Sequence, residues 1–425
     1  MSDRASRASA DAALTRVVRD EAGRLTAALV RLLGDFSLAE DLVQDAVVAA
    51  LEHWPAAGVP ADPAAWLMAT ARRRAIDHWR RQRRYQEKLA ILVRNAPPPE
   101  RADEVDDRLR LIFTCCHPAL GREAQLALTL RAVMGLTTPE IAHAFLATEA
   151  AIAQRIVRAK RKIVEAGVPY RVPDTERLAE RLDEVLAVVY LMFNEGYLAT
   201  GGDVPARRDL ADDAEWLATL VVRLLPGQPE AAGLLALIRL HRARWPARFD
   251  SEGRLVLLAD QDRSRWDHAA IADAARLLLE TMRLGRPGPY QLQAAIAACH
   301  AEAPSWEETD WRQILLLYDA LLRLAPTAVA RLNRAIALGH GVAPAEALAE
   351  VERLEPALRG YHLFHAARAE LLRRLGRGDE ARAADARALA LTRNPAERRL
   401  LEERLTEPVR SSSHRSSKQG LRPSV

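Results

Sequence analysis

Positively charged side chains are concentrated in two short stretches of the sequence, and the clearer one spans residues 150–164. This stretch contains five Lys and Arg residues and no Asp or Glu. Projected as a helix, it places its apolar residues on one side and most of its polar and basic residues on the other. Such a helix can pack on a core and present cations to a polyanion such as nucleic acid. The candidate contact residues are Glu149, Ala150, Ala151, Gln154, Arg155, Arg158, Arg161 and Lys162.

The residues that precede this stretch carry the local signals of a helix-turn-helix. Thr137 and Glu140 have the spacing of a capping box, in which two side chains satisfy backbone donors at a helix start. Thr148 is placed to cap the basic helix that follows. A short helix, a tight turn and a basic second helix predict a helix-turn-helix whose second helix enters a major groove. Generic antiparallel helices are the alternative, which the charge bias disfavours.

The second basic stretch, residues 66–84, is also predicted to be an amphipathic helix. Its apolar side is predicted to comprise Met68, Ala71, Ala75, Ile76 and Trp79. The opposite side carries so many arginines that neighbours four residues apart repel, which favours a polyanionic partner. A merely solubilising face would contain more acids. The candidate residues on this helix are Arg73, Arg74, Asp77, Arg80, Arg81 and Arg84.

An acidic stretch without Lys or Arg, residues 35–62, precedes the basic helix. Ser37 and Glu40 have the spacing of a capping box, so a helix is predicted from there to about His53. Its predicted exposed residues are Glu40, Asp41, Gln44 and Asp45, and its predicted apolar contacts are Leu38, Leu42, Val43, Val47 and Leu51. For this helix alone a solvated acidic face is the simpler interpretation, and a docking surface for a basic partner is the alternative. The loop 54–62 is either a connection or a surface for an unstacked base.

Three further polar clusters could support enzyme chemistry. Cys115, Cys116 and His117 suggest a metal site, but adjacent cysteines lack the spacing of zinc ligands, so packed thiols are the favoured interpretation. Residues 193–197 and 261–267 could form a ligand pocket or an active site, although buried polar networks that lock the fold are favoured. The sequence contains no phosphate-binding glycine loop, zinc-protease motif or serine nucleophile elbow. No catalytic residue, metal or cofactor is therefore predicted.

The elements that must position these residues are predicted to be helices. The 425-residue chain is 49% hydrophobic, 28% charged and only 5% aromatic, and Ala, Leu, Arg and Glu dominate it. We therefore predict an all-α protein of about three modules. Three cysteines, an odd number, and the absence of a signal peptide or a long apolar run predict a cytoplasmic protein without membrane contact.

Proline-rich segments divide the chain into modules. Two prolines in residues 167–174 must end the basic helix, and a Ser-rich tail is too poor in apolar residues to fold. The predicted divisions are a first module at 10–94, a linker at 95–104, a helix-turn-helix module at 105–166, helical extensions at 175–300 and 305–405, and a disordered tail at 408–425.

A repeat of 34 residues occurs near the end of the predicted extension. Three matches share this offset: Arg334-Ala335 with Arg368-Ala369, Glu346-Ala347 with Glu380-Ala381, and Leu324 with Leu358. This period is typical of tetratricopeptide helix pairs, whose small residues let paired helices approach closely. We therefore predict that residues 305–405 are tetratricopeptide-like.

These segments together resemble a known family. EDLVQDAVVAALEHW, TARRRAIDHWRR, and TTPEIAHAF followed by IAQRIVRAKRKI are similar to regions two and four of bacterial sigma factors of the extracytoplasmic-function class. LRLIFTCCHPAL, YLMFNEGYLATGG, LADQDRSRWD and GPYQLQAAIAACHAEA are similar to signatures of its long subgroup with a helical C-terminal extension. One departure is Arg73, because Asn is common at this place in the promoter-melting helix.

The resemblance implies a protein that binds core RNA polymerase and promoter DNA and performs no bond chemistry. It implies that residues 67–84 engage the upstream edge of the minus-ten element and that residues 149–162 read the minus-thirty-five element. It also implies that the acidic helix docks on the polymerase clamp.

The extension, which has no excess of positive charge, is expected to regulate the DNA-facing modules in cis and to offer a groove to a protein or peptide partner. Two alternatives stay open at the level of sequence. One is a tetratricopeptide-type adaptor that binds nucleic acid nonspecifically, and the other is an enzyme housed in residues 175–300.

Overall fold

The computed structural model describes residues 14, 21, 23–83, 107–145, 147–199, 206–341 and 343–406, without the side chains of residues 78–83, 143 and 144. The predicted linker and the predicted disordered tail lie outside these residues. Within the described ranges the regular elements are helices, and the sole β feature is an isolated antiparallel bridge between Phe249 and Leu255. The predicted all-α fold class is confirmed. Contacts divide the chain into two units, residues 1–192 and 193–425.

The first module of unit 1 contains a helix at residues 23–33, α1 (Phe36–Ala57) and α2 (Pro63–Arg83). The indole of Trp54 is buried and meets Trp66 edge-on at 5.6 Å. Because Trp54 belongs to this core, only residues 58–62 connect α1 to α2. The buried residues of the helix pair are Leu42, Val43, Ala46, Ala50, Leu67, Ala71 and Ala75.

Two residues that the helical projection assigned to the apolar side are exposed. Ile76 is 51% exposed and Leu51 is 46% exposed. The stripe on α2 that contacts α1 is narrow, because alanines at positions 71 and 75 let the two helices approach closely and leave Ile76 beyond the edge of the contact.

The second module of unit 1 comprises α3 (Asp107–Cys115), α4 (Arg122–Ala132), α5 (Thr138–Ala144) and α6 (Glu149–Glu165). The helix α6 ends as the prolines predict: the N–H of Val168 donates to the carbonyl of Ile163, and Gly167 has a φ of +60°. This hydrogen-bond pattern is the Schellman motif, which requires a left-handed residue that glycine supplies without a steric penalty.

The paired cysteines lie in the core of this second module. Both thiols are buried, and the sulfur of Cys116 lies 3.5 Å from the hydroxyl of Thr129. Burial raises the pKa of the Cys116 thiol to about 11 and that of Cys115 well above its ordinary value. The ring of His117 instead accepts a hydrogen bond from the backbone of Ala119. These neutral thiols pack as small apolar groups, as the favoured interpretation of the sequence expects.

The next helix, α7 (Thr175–Tyr197), is the first helix of the predicted extension, and its residues up to Met192 belong to unit 1. The guanidinium of Arg181 donates to the carbonyl of Phe113 at 2.6 Å. Arg122 and Glu184 form an ion pair at 2.9 Å. The beginning of the extension is therefore packed against the helix-turn-helix module.

Unit 2 is built around a buried helix, α9 (Pro229–Ala243). Its Gly233 approaches α11 (Pro289–Glu302) so closely that a Cβ there would lie 2.8 Å from the backbone nitrogen of Gln291. Glu230 of the same helix accepts hydrogen bonds from the backbone of Tyr290 and Gln291, which satisfies donors at the start of α11. The helices of this part are α8 (Arg208–Leu224), α9 (Pro229–Ala243), α10 (His268–Met282), α11 (Pro289–Glu302) and α12 (Trp311–Leu324).

The last six helices of unit 2 contain the predicted repeat. They are α13 (Ala328–Gly341), α14 (Pro344–Arg353), α15 (Glu355–Leu358), α16 (His362–Arg374), α17 (Gly378–Leu391) and α18 (Pro395–Thr406). The pairs α13/α14 and α16/α17 are related by the 34-residue period, and their small repeat residues Ala335, Ala369, Ala347 and Ala381 are all buried. The third match does not hold, because Leu324 is 50% exposed whereas Leu358 is buried.

None of the helices in the described part of the chain is both long and apolar enough to cross a membrane.

Candidate nucleic-acid interface

The helix α6 presents the strongest candidate surface. Its apolar side is anchored in the second module by four buried residues, Ile152, Ile156, Ala159 and Ile163. The predicted contact residues on the opposite side are solvent-exposed, namely Glu149, Ala150, Ala151, Gln154, Arg158, Arg161 and Lys162. Arg155 is half-buried, because its guanidinium pairs with Glu123 at 2.6 Å. The structure therefore brings the predicted residues together on one accessible face.

Two caps fix this face relative to the preceding helix. Thr137 and Glu140 form the predicted capping box: the backbone N–H of Thr137 donates to the Glu140 carboxylate at 2.6 Å, and the Thr137 hydroxyl accepts from the Glu140 N–H. The hydroxyl of Thr148 accepts from the backbone N–H of Ala151 at 3.2 Å and starts α6. Helix, tight turn and capped second helix confirm the predicted helix-turn-helix.

A groove of about 580 Å³ runs beside α6, and residues 119–124 form its other wall. Its two acids are already paired with arginines of α6, Glu123 with Arg155 and Glu165 with Arg161. Exposed ion pairs of this kind contribute at most about 1 kcal/mol. Phosphate oxygens can therefore replace these carboxylates at small cost, and the groove is suited to a nucleic-acid backbone.

Two exposed valines on α6 were not predicted as contact residues. Val157 is 64% exposed and Val164 is 78% exposed. Projection of the helix places Val157 beside Gln154, on the solvent side, although charge alone gave no reason to select it. Apolar side chains at such positions can contact the methyl group of thymine in a major groove.

The structure describes the side chains of α2 only up to Asp77. Arg73 and Asp77 are exposed, and Arg74 pairs with Asp45 of α1 at 3.1 Å. Arg72, which was not among the candidates, is exposed next to them. The side chains of Arg80 and Arg81, and the whole of Arg84, lie outside the described residues.

The acidic residues of α1 divide into two groups. Asp41, Gln44 and Asp45 are exposed as predicted. Glu40 is not: its carboxylate is buried and accepts hydrogen bonds from Arg131 and Lys160, both in the second module.

The predicted capping box of Ser37 and Glu40 is therefore wrong. Asp35 caps α1 instead, because its carboxylate accepts from the backbone N–H groups of Ser37 and Leu38 at 2.9 and 3.0 Å. With these donors already satisfied, the carboxylate of Glu40 is free to pair with Arg131 and Lys160, and we call this contact the Glu40 bridge.

The two modules of unit 1 touch at further points around the Glu40 bridge. The ammonium of Lys160 lies 5.5 Å from the ring centroid of Phe36. The hydroxyl of Tyr170 donates to the carbonyl of Ala27 at 2.9 Å, and burial raises the pKa of this phenol, as does the nearby carboxylate of Asp107. The candidate DNA-facing helix α6 and the candidate docking helix α1 are therefore joined through the flank of α6.

Comparison with known proteins matches three families to parts of the chain. Sigma-70 region 2 matches residues 17–85, and Sigma-70 region 4 matches residues 110–163. A family of unknown function (DUF6596) matches residues 181–282, from within α7 to the end of α10. The two sigma-70 matches coincide with the first and second modules of unit 1.

Curated relatives extend this similarity. The chain is 46% identical over 387 residues to an uncharacterized protein of Rhizobium meliloti (strain 1021), which covers 87% of this chain and 90% of that protein. It is 33% identical over 157 residues to the ECF RNA polymerase sigma factor SigL of Mycobacterium tuberculosis (strain ATCC 25618 / H37Rv), which covers 36% of this chain and 85% of SigL. No solved structure matches the chain.

The capped helix-turn-helix, the two sigma-70 regions in the expected order and the similarity to nearly the whole of SigL agree with one another. The chain therefore belongs to the extracytoplasmic-function family of RNA polymerase sigma factors.

Proposed function

We propose that this chain directs core RNA polymerase to a subset of promoters, in the cytoplasm, and that α6 reads the minus-thirty-five element. The observation that carries this proposal is the exposed face of α6, which is held by two caps and has an apolar back. In the same proposal the arginines of α2 engage the upstream edge of the minus-ten element, and the acidic face of α1 docks on polymerase. The described part of α2 supports its role through the exposed Arg72 and Arg73.

Position along α6 separates base contacts from phosphate contacts. Gln154 and Arg158 project from the N-terminal and central turns of the helix, the part that reaches base edges when a recognition helix enters a major groove. Their amide and guanidinium groups are the donors and acceptors that adenine and guanine edges select. Arg161 and Lys162 lie one turn farther along and are assigned to phosphate.

Replacing Arg158 with alanine is expected to change which promoters are used. A lost bidentate contact to a base costs about 1–3 kcal/mol of discrimination, so preference at one base pair should fall roughly tenfold. Transcription from a pool of promoters randomised in the minus-thirty-five element, with purified core polymerase, measures this preference. The matched control, Arg161→Ala, should weaken all promoters about equally and reduce the salt dependence of binding. An unchanged promoter ranking in Arg158→Ala contradicts the base-reading assignment.

Polymerase docking is assigned to Asp41, Gln44 and Asp45 because they form an exposed acidic patch on a helix without basic residues. An acidic patch of this kind accelerates and orients association with a basic surface. Asp45 already pairs with Arg74, but the pair is exposed and therefore exchangeable.

The double variant Asp41→Lys, Asp45→Lys is expected to bind core polymerase at least tenfold more weakly while unfolding at the same temperature as the parent chain. The control is Asp209→Lys, Glu280→Lys, which makes the same change in net charge at exposed positions of unit 2. Equilibrium binding at physiological salt is the measurement. If the two double variants bind core polymerase with equal affinity, α1 is not the docking helix.

The two DNA-facing modules must separate before they can act on one promoter. The minus-ten and minus-thirty-five elements are about 25 base pairs apart, which is roughly 85 Å along the duplex. In the structure Glu40 and Lys160 are in hydrogen-bond contact, so both modules lie within one compact unit. The 23 residues between Arg83 and Asp107 can span about 80 Å when extended, which is close to this distance, and the width of the modules themselves adds to their reach.

The same geometry supports regulation in cis by the extension. The helix α7 holds the second module through Arg181 and Glu184, and the rest of the extension is attached to α7. Covalent attachment gives the extension a high effective concentration beside the DNA-facing modules. The extension can therefore bias the balance between the joined and the separated arrangement of the modules.

Two truncations test this regulation. A chain that ends after Val172 loses α7 and its contacts with the second module, whereas a chain that ends after Ala199 keeps them. Both are expected to initiate transcription differently from the full chain, and the difference between them measures the part due to α7. The measurement is transcription from one promoter over a range of sigma concentrations, with circular dichroism to verify folding. Identical activity of all three chains would exclude regulation by the extension.

A further inference from the structure

Three arginines converge in unit 2, where the polar cluster at residues 261–267 meets the end of α7. Arg244 and Arg248 follow the end of α9 and are only 7% and 8% exposed. Arg263 lies in a short 3-10 turn, and its guanidinium donates to the carbonyl of His300 at 2.6 Å. This cluster belongs to neither DNA-facing module.

Aromatic rings, and not carboxylates, surround these guanidinium groups. The central carbons of Arg244 and Arg263 lie 5.7 and 4.5 Å from the same indole centroid, that of Trp266. The central carbon of Arg248 lies 3.6 Å from the ring centroid of Tyr197. In the described part of the chain no carboxylate forms an ion pair with any of the three arginines. A cation–π contact contributes about 0.5–2 kcal/mol, which is less than the several kcal/mol that burying a charge costs.

Hydrogen-bond donors at the cluster also lack acceptors. The Nε atoms of Arg244 and Arg248, Nη2 of Arg263 and the indole nitrogen of Trp266 are buried without a hydrogen-bond partner among the described residues. Such donors are rare in folded proteins, where nearly all buried polar groups are paired. Two guanidinium groups and the indole nitrogen at Trp266, and a third guanidinium group at Tyr197, therefore lack an acceptor among the described residues.

The nearest ionisable groups do not compensate the positive charge. Burial, assisted by Arg244 and other cations of the cluster, lowers the pKa of His241 to about 3 and that of His300 to about 4, so both rings are neutral at physiological pH. Burial lowers the pKa of Arg248; Glu397 opposes this shift, but its carboxylate is bonded to His362 and Thr392. Burial also lowers the pKa of Arg263, and the carboxylate of Glu307, which opposes that shift, is solvent-exposed.

In a neighbouring groove of the same unit, by contrast, charged side chains form ion pairs. It has a volume of about 660 Å³, and its residues Glu215, Arg239 and Arg242 form ion pairs with one another. Arg242 also pairs with Asp212. Arg239 and Arg242 in this groove therefore have carboxylate partners, whereas Arg244, Arg248 and Arg263 have none among the described residues.

We propose that Arg244, Arg248 and Arg263 form a binding site for a small anion that carries a carboxylate or phosphoryl group. Its oxygens accept the donors that the fold leaves without partners, and its charge balances the buried guanidinium groups. The rings of Trp266 and Tyr197 hold the guanidinium planes in place before the anion binds, which reduces the entropy lost on binding. The extension is in this proposal a ligand-binding domain, whatever the promoter preference of the DNA-facing modules.

Thermal unfolding of the full chain at neutral pH tests this site with two probes, inorganic phosphate and citrate, each compared with sodium chloride at equal ionic strength. Binding to the folded state is expected to raise the midpoint temperature saturably, by about 3 °C or more near saturation. Because phosphate stabilises many proteins nonspecifically, the comparison between variants decides. Arg244→Met should lose the increase, and Arg242→Met, which removes a paired arginine two residues away, should keep it.

The probe that raises the midpoint temperature identifies the class of anion. An increase with phosphate alone indicates a site for a phosphoryl group, and an increase with citrate alone indicates a site for a carboxylate. If Arg244→Met does not fold, Arg263→Met replaces it in the same comparison. The proposal is overturned if neither probe raises the midpoint of the parent chain above that in chloride. It is equally overturned if the increase is the same in the parent chain, Arg244→Met and Arg242→Met.

Discussion

The buried carboxylate of Glu40 joins the two modules of unit 1 through ion pairs with Arg131 and Lys160. Glu40 lies on α1 beside the residues assigned to polymerase docking, and its two partners, Arg131 and Lys160, belong to the helix-turn-helix module. All three side chains are at least five-sixths buried, so removal of Glu40 leaves two positive charges in a poorly solvated place, at a cost of about 3–5 kcal/mol. The Glu40 bridge is therefore stable while its three side chains are paired, and a competing charge that pairs with one of them can break it.

Under the proposed function, the position of Glu40 on α1 couples polymerase docking to DNA binding. Asp41 is the next residue after Glu40, and Gln44 lies one helical turn farther along α1. A basic polymerase surface that approaches Asp41 also approaches the carboxylate of Glu40, and it can replace the charge of Arg131 and Lys160. Docking on polymerase would then release the flank of α6, which provides a physical reason for the two modules to separate in the presence of polymerase.

Features that depend on residues close together in the chain could be predicted from the sequence. The helix-turn-helix follows from Thr137, Glu140 and Thr148, because each cap involves residues within four positions of each other. The Glu40 bridge could not be predicted, since its partners lie 91 and 120 residues away, and the same Ser-x-x-Glu spacing indicates a local cap just as well. Asp35, two residues before Ser37, is in a position to take that cap.

The arginine cluster around Trp266 could not be predicted from the sequence for a similar reason. The sequence indicated that residues 261–267 were rich in polar groups, but whether those groups are satisfied depends on helices from distant parts of the chain. A polar network and a ligand site have the same composition. Only the pairing of donors with acceptors distinguishes them.

The most direct test of this account measures the distance between the two modules. Spin labels at Glu52→Cys on α1 and Val164→Cys on α6, both exposed positions, report it in a chain whose half-buried Cys299 is replaced by Ala. Cys115 and Cys116 are buried with raised pKa values and do not compete for the label. We expect a short distance in the free chain and a distance increased by several tens of ångströms in the complex with core polymerase and promoter DNA. An unchanged distance in that complex would contradict it.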